Sequence, residues 1–212
     1  MIKFINYFLQ SLLIYLFFLI GKIIGLKLSR VLFSNFFFKI GPLIKSTKII
    51  NKNLIICRDS GINLDNEKIT QNMWKNYGMT FIEYIFLGYF KKNHSHIILK
   101  GKEVLSQIKN QKKPVIFVSG HFANFELMSM EITKNDIQLA TIYRPLNNFF
   151  LNPFMEYLRK KYICQNQIKK GINGVRETID FLKKNVSIAL MIDQRVSEGI
   201  LSNFFNEKAS TT

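Results

Sequence analysis

Hydrophobic positions change rhythm along this chain, and each rhythm predicts a different kind of element. From Phe4 to Gly21 (FINYFLQSLLIYLFFLIG) apolar residues run almost unbroken and no side chain is charged. A helix of that length is near the lower limit for crossing a hydrocarbon layer of roughly 30 Å. Asn6, Gln10 and Ser11 interrupt the run, while Ile23 and Ile24 extend it past Lys22, whose ammonium can snorkel. A signal peptide would have a shorter apolar core followed by a small-residue cleavage site. Gly21-Lys22-Ile23-Ile24-Gly25 follows instead, so the run reads as a retained membrane anchor. From Leu26 to Ile40, Lys and Arg interleave with Phe and Leu, the pattern of an amphipathic helix lying among lipid headgroups.

From Asp59 the composition becomes mixed, and periodicity alternates between helix and strand. Asp65–Lys75 and Met79–Phe90 read as helices, His96–Leu99 as a short strand and Lys102–Lys109 as a helix. Pro114–Ser119 (PVIFVS) is an apolar, β-branched run of the kind found in buried parallel strands. Phe122–Thr133 reads as a helix and Ile137–Ile142 as a strand. Phe149–Lys161 and Gly174–Lys184 read as helices, and Val186–Ile192 as a third apolar strand. Strands alternating with helices imply an α/β fold: a mixed or parallel sheet flanked by helices, preceded by an N-terminal membrane-anchor helix. The expected division is an anchor over 1–25, an interface segment over 26–58 and an α/β domain over 59–212.

Charge refines this picture. The 212 residues carry a formal net charge of +16, which favours anionic partners such as phosphate headgroups or acidic carrier proteins. Nucleic acid is not expected, because no Arg-rich helix, zinc knuckle or RNP-type aromatic motif is present. Only Lys3 precedes the apolar run, whereas Lys22, Lys27, Arg30, Lys39, Lys45 and Lys48 follow it, and no acidic residue occurs before Asp59. The positive-inside tendency then puts the α/β domain on the cytoplasmic face of the membrane. Cys57 and Cys164 are far apart, so reduced thiols are expected. No metal-ligand spacing occurs. His94 and His96 read as a polar strand end, and neither a metal nor a cofactor is expected.

Open α/β sheets place their chemistry at the carboxyl ends of strands. Three predicted strand ends carry polar groups: Gly120-His121, Tyr143-Arg144 and Asp193-Gln194. Residues 119 to 126 read Ser-Gly-His-Phe-Ala-Asn-Phe-Glu, which stands His121 at a strand-to-helix turn with Glu126 five residues on. From there a carboxylate can reach one imidazole nitrogen, fix the tautomer and stabilise the imidazolium. The other nitrogen is left to remove a proton from an attacking alcohol. Backbone N–H groups at a helix start could stabilise an oxyanion. Ser119 lacks the GxSxG context of a nucleophile.

The block VIFVSGHFANFEL (residues 115–127) resembles the HX4(D/E) region of the bacterial lipid A biosynthesis (lauroyl/myristoyl) acyltransferases. Other blocks fit that family in order. Trp74-Lys75-Asn76-Tyr77-Gly78 with Glu83 resembles its W-x-N-x-G…E segment, and Leu99–Glu103 its G-x-E turn. Tyr143-Arg144-Pro145-Leu146-Asn147-Asn148 resembles YRP-x-NN, and Asp193-Gln194 resembles a strand-ending D-Q. Phe204-Phe205 with Ala209–Thr212 resembles its PFFG-x-x-A-x-T segment.

The resemblance implies acyl transfer from acyl-acyl carrier protein to a hydroxyl of a lipid A precursor at the inner membrane, whose lipids would be a further partner. It implies His121 and Glu126 as the catalytic pair and Arg144, Asn147, Asp193 and Gln194 as substrate-binding residues, without a cofactor. Arg144 could instead pair with Asp193 or Glu126, and Asn147 and Asn148 could be turn residues. Family members usually extend beyond the A-x-T-T segment, which leads to the expectation of a C-terminally shortened chain. The alternatives are an acyltransferase acting on another glycolipid or glycerophosphate, or an inactive lipid-binding membrane protein.

Overall fold

The computed structural model describes residues 2–44, 47–59, 65–93, 95–194, 199–204 and 207–211. They form a mixed α/β protein with a four-stranded parallel sheet, flanking helices and a long apolar N-terminal helix. The chain divides into two compact units, each discontinuous in sequence. One comprises Met1–Ile20 with Tyr84–Met191, the other Gly21–Glu83 with Ile192–Thr212. The composition change at Asp59 falls inside the second unit.

The first unit holds the sheet. Its strands are β1 (Ile116–Ser119), β2 (Leu139–Tyr143), β3 (Asn166–Lys169) and β4 (Ser187–Met191), all parallel, in the order β1-β4-β2-β3. Ala140, Ile168, Val186 and Ile188 form its buried centre, with Ile142, Phe181, Leu182 and Leu190 packed against them. Apolar β-branched runs produced β1, β2 and β4 where expected. β3 (NQIK) has no such run, and pairing with β2 creates it. β1 was expected to be a buried strand. It is an edge strand, with Ile116 54% and Val118 55% exposed.

Other sequence expectations need correction. His96–Leu99 is not a strand. His96 instead shares a hydrogen bond with the Tyr89 hydroxyl (3.2 Å) and packs on the Tyr89 and Phe90 rings. His94 lies outside the described residues. Around the sheet stand the helices α4 (Leu87–Lys92), after a 3₁₀ turn at Tyr84–Phe86, and α5 (Lys102–Gln111). They continue with α6 (Glu126–Lys134), α7 (Asn152–Tyr162) and α8 (Ile172–Lys183).

α1 (Ile2–Ile44) is helical throughout except at Gly25, whose φ of 79° breaks it into two helices. The Ser29 hydroxyl, fully buried, donates to the Gly21 carbonyl at 2.9 Å and satisfies an acceptor at that break. Within the first unit, the first helix of α1 packs on residues 148–154. Tyr15 donates to the Phe150 carbonyl (2.9 Å), and Asn148 Nδ2 donates to the Tyr7 carbonyl (2.8 Å).

In the second unit, α2 (Thr47–Asp59), which the sequence reading did not assign, and α3 (Asn66–Glu83) accompany the later part of α1. Two predicted helices merge here, because α3 runs on through Gly78. Gly78 lies against the Phe33 carbonyl and Gly41 against the Trp74 indole, so a side chain at either glycine would collide with its neighbour. Arg30 Nε meets Glu83 Oε1 at 2.7 Å. The Trp74, Gly78 and Glu83 of the sequence block are thus the seam by which α3 packs on α1. β5 (Ile200–Phe204) and β6 (Glu207–Thr211) pair antiparallel.

Candidate active site

β1 delivers His121 to the carboxyl edge of the sheet. Gly120 behind it is buried, and the Phe122 N–H turns back onto the Gly120 carbonyl at 2.9 Å. Ala123 then takes φ +45°, a left-handed conformation unusual for a residue with Cβ. That residue stops the helix expected from Phe122, and α6 begins three residues later at Glu126. Glu126 is therefore the first helical residue, where a carboxylate is favoured by the exposed N–H ends of the helix. The half-buried His121 ring packs edge-on against Phe125, with centroids 4.5 Å apart.

Glu126 is buried and heavily bonded. Its Oε1 accepts from the Tyr84 hydroxyl at 2.7 Å and from Arg159 Nε at 2.7 Å, and Arg159 Nη2 reaches the Tyr84 oxygen at 3.1 Å. The Arg159 and Glu126 side chains are only 12% and 10% exposed. Burial raises the Tyr84 hydroxyl well above its ordinary pKa, and the Glu126 charge raises it further, so Tyr84 remains a donor. Burial acts to lower the Arg159 pKa, but Glu126 and Tyr84 outweigh it, and the guanidinium is held even more firmly charged. Its plane also lies 5.7 Å from the Tyr84 and Tyr143 ring centres. Tyr143 in turn donates to Glu156 Oε1 at 2.6 Å, and Asn152 donates to the same oxygen at 2.8 Å. Those bonds, Tyr143's first, lower the Glu156 pKa against the opposing effect of burial.

Sequence reasoning missed Tyr84 and Arg159. Arg159 sits in a basic run, Arg159-Lys160-Lys161, that reads as a solvated helix end. It lies one helical turn beyond the buried Met155, and an arginine on that stripe requires an acidic partner. Tyr84 carried no comparable signal.

The remaining candidates divide. Arg144 follows β2 at the same sheet edge as His121, with only β4 between their strands, a lateral separation of about 10 Å. Arg144 is exposed, as is Asn147. Asn148 is the residue that builds the turn, because its Oδ1 accepts from the Phe150 and Leu151 N–H groups at 3.0 and 3.2 Å. Asp193 and Gln194 follow β4 after Ile192, are exposed, and belong to the second unit.

Among protein families, the one described as bacterial lipid A biosynthesis acyltransferase matches residues 2–212. No curated protein matches the chain.

Proposed function

Since the chain belongs to the bacterial lipid A biosynthesis acyltransferases, we propose that it moves a fatty acyl group from acyl-acyl carrier protein to a hydroxyl of a lipid A precursor, with His121 as general base. The observation that carries this reading is the strand-end turn itself. It sets His121 at the carboxyl edge of a parallel sheet and locks Glu126, five residues on, into a buried carboxylate–guanidinium–phenol cluster.

In the proposed reaction His121 takes the proton of the acceptor hydroxyl as its oxygen bonds to the thioester carbonyl carbon. The negative charge passes to the carbonyl oxygen. Collapse of that intermediate breaks the carbon–sulfur bond, and the imidazolium returns the proton to the departing thiolate. Glu126 fixes the imidazole tautomer, and Tyr84 and Arg159 are positioning residues that hold the carboxylate. Arg144 is assigned to an anionic group of donor or acceptor, for which a planar guanidinium is suited. Asn147, Asp193 and Gln194 are further substrate contacts in this reading. The apolar N-terminal helix attaches the enzyme to the inner membrane, with the catalytic residues on the cytoplasmic side.

The test is donor choice and its salt dependence, with purified full-length chain and a lipid A precursor in mixed micelles. An acidic carrier docking on a protein of charge +16 should show an apparent KM that rises with salt, since charges are screened over roughly 8 Å at physiological ionic strength. Acyl-CoA should serve poorly. Equal use of both donors with a salt-independent KM would reject the carrier as donor.

A further inference from the structure

The first helix of α1 carries three distinct stripes. Tyr7, Tyr15 and Phe18 meet residues 148–154 of their own unit, and the buried Ser11 lies on the same face of the helix. Phe4 and Phe8 flank that stripe and pack on Phe150. Ile5, Leu9, Leu12, Leu13, Leu16 and Leu19 are all exposed. At 100° per residue they occupy one arc of about 120°. Lys3, Asn6 and Gln10, also exposed, form a narrow polar edge beyond it.

The packing is extended along the helix axis. Phe150 meets Phe4 and Phe8, and Phe154 meets Tyr15 and Phe18. Phe4 and Phe18 are about 21 Å apart along a helix. If this helix crossed the bilayer, residues 148–154 would have to follow it through about two-thirds of the roughly 30 Å hydrocarbon layer. They would carry Asn148 and Asn152 with them, and Glu156 one turn further along α7. The irregular backbone of residues 144–151 would enter the hydrocarbon with them, where lipid-exposed loops do not occur because their N–H and C=O groups find no partner there. Laid parallel to the membrane, the same contact sits at a single depth and only the free apolar arc enters lipid.

We propose that the N-terminal helix does not span the membrane. It lies in the plane of one leaflet, fixed to the catalytic unit through residues 148–154, and inserts its Ile5-Leu9-Leu12-Leu16-Leu19 stripe into an anionic lipid surface. This rests on the membrane attachment proposed above and specifies its geometry. Lipid, rather than a second copy, is the occupant because each copy carries +16 and no acidic residue precedes Asp59. Copies repel, while an anionic leaflet attracts. Phe149, 49% exposed and packed on Phe4 and Tyr7, joins the inserted surface. The turn that follows Arg144 is thereby held at headgroup level, where a lipid acceptor presents its hydroxyls.

The test uses the full chain in a Cys57→Ser background, Cys164 being buried. Single substitutions Ile5→Cys, Asn6→Cys, Leu9→Cys, Gln10→Cys, Leu12→Cys, Leu16→Cys and Leu19→Cys each receive a nitroxide. Flotation with phosphatidylglycerol–phosphatidylethanolamine vesicles is measured first, then label depth from oxygen and nickel-chelate relaxation. The five stripe sites should share one depth, about 5–10 Å below the headgroups, with Asn6 and Gln10 shallower. A depth that passes through the bilayer midplane between Ile5 and Leu19 would overturn the in-plane geometry and leave attachment standing. Vesicle-bound protein whose labels gain no oxygen exposure, or broaden by label–label coupling between copies, would show that lipid is not the occupant. Failure to float would remove the attachment reading itself.

Discussion

At the scale of residues, Arg159 is the one on which the buried Glu126 carboxylate depends. It reaches Glu126 from the last turn of α7, and both groups are almost out of water. Removing one partner of a buried ion pair leaves the other charge uncompensated, at a cost of about 3–5 kcal/mol. Arg159→Met should therefore lose that much stability in urea unfolding, and Glu126→Gln a comparable amount. The double variant should lose clearly less than the sum, because neither charge is left stranded. Strict additivity would mean that the two side chains do not share their energy. The places of His121 and Glu126 at a strand-to-helix turn were legible in the sequence because an apolar strand run ends abruptly in Gly-His. Their supports were not, since Tyr84 is 42 residues and Arg159 33 residues from Glu126, and nothing local relates them. Asn148 likewise looked equivalent to Asn147. Only the fold shows that Asn148 satisfies two turn N–H groups and ties the turn to Tyr7.

At the scale of elements, the seam between α1 and α3 invites a direct trial. In a solvated helix Gly→Ala is favourable by about 1 kcal/mol. At Gly78 the added methyl would run into the Phe33 carbonyl, and backbone cannot swing aside as a side chain can. Gly78→Ala should lower stability by about 1–3 kcal/mol, seen as a reduced melting temperature. An unchanged or higher value would show that the helices are not in contact there. The strands β1, β2 and β4 were readable because β-branched apolar runs leave few alternatives. β3 was not, because its residues NQIK become a strand through their partner β2. The start of α6 was misplaced for a different reason. Nothing about an alanine at position 123 announces a left-handed backbone, and that conformation belongs to the turn presenting His121.

At the scale of the whole molecule, His121, the Glu126–Arg159–Tyr84 cluster and residues 2–20 of the N-terminal helix all belong to one compact unit assembled from two stretches of chain. Family membership accounts for the acyltransferase chemistry, and the net charge of +16 suits both an acidic carrier and an anionic membrane. The proposed mechanism requires His121 to act as the base. The measurement is acyl transfer by purified His121→Ala beside the unmutated chain, with circular dichroism and vesicle flotation run on the same samples. General-base catalysis contributes about 100- to 10,000-fold, so turnover should fall by that factor while folding and lipid binding stay unchanged. Glu126→Ala should impair turnover strongly as well, and the double variant should be little worse than His121→Ala, because the two act as one unit. Turnover of His121→Ala within a few-fold of the unmutated chain would contradict the account.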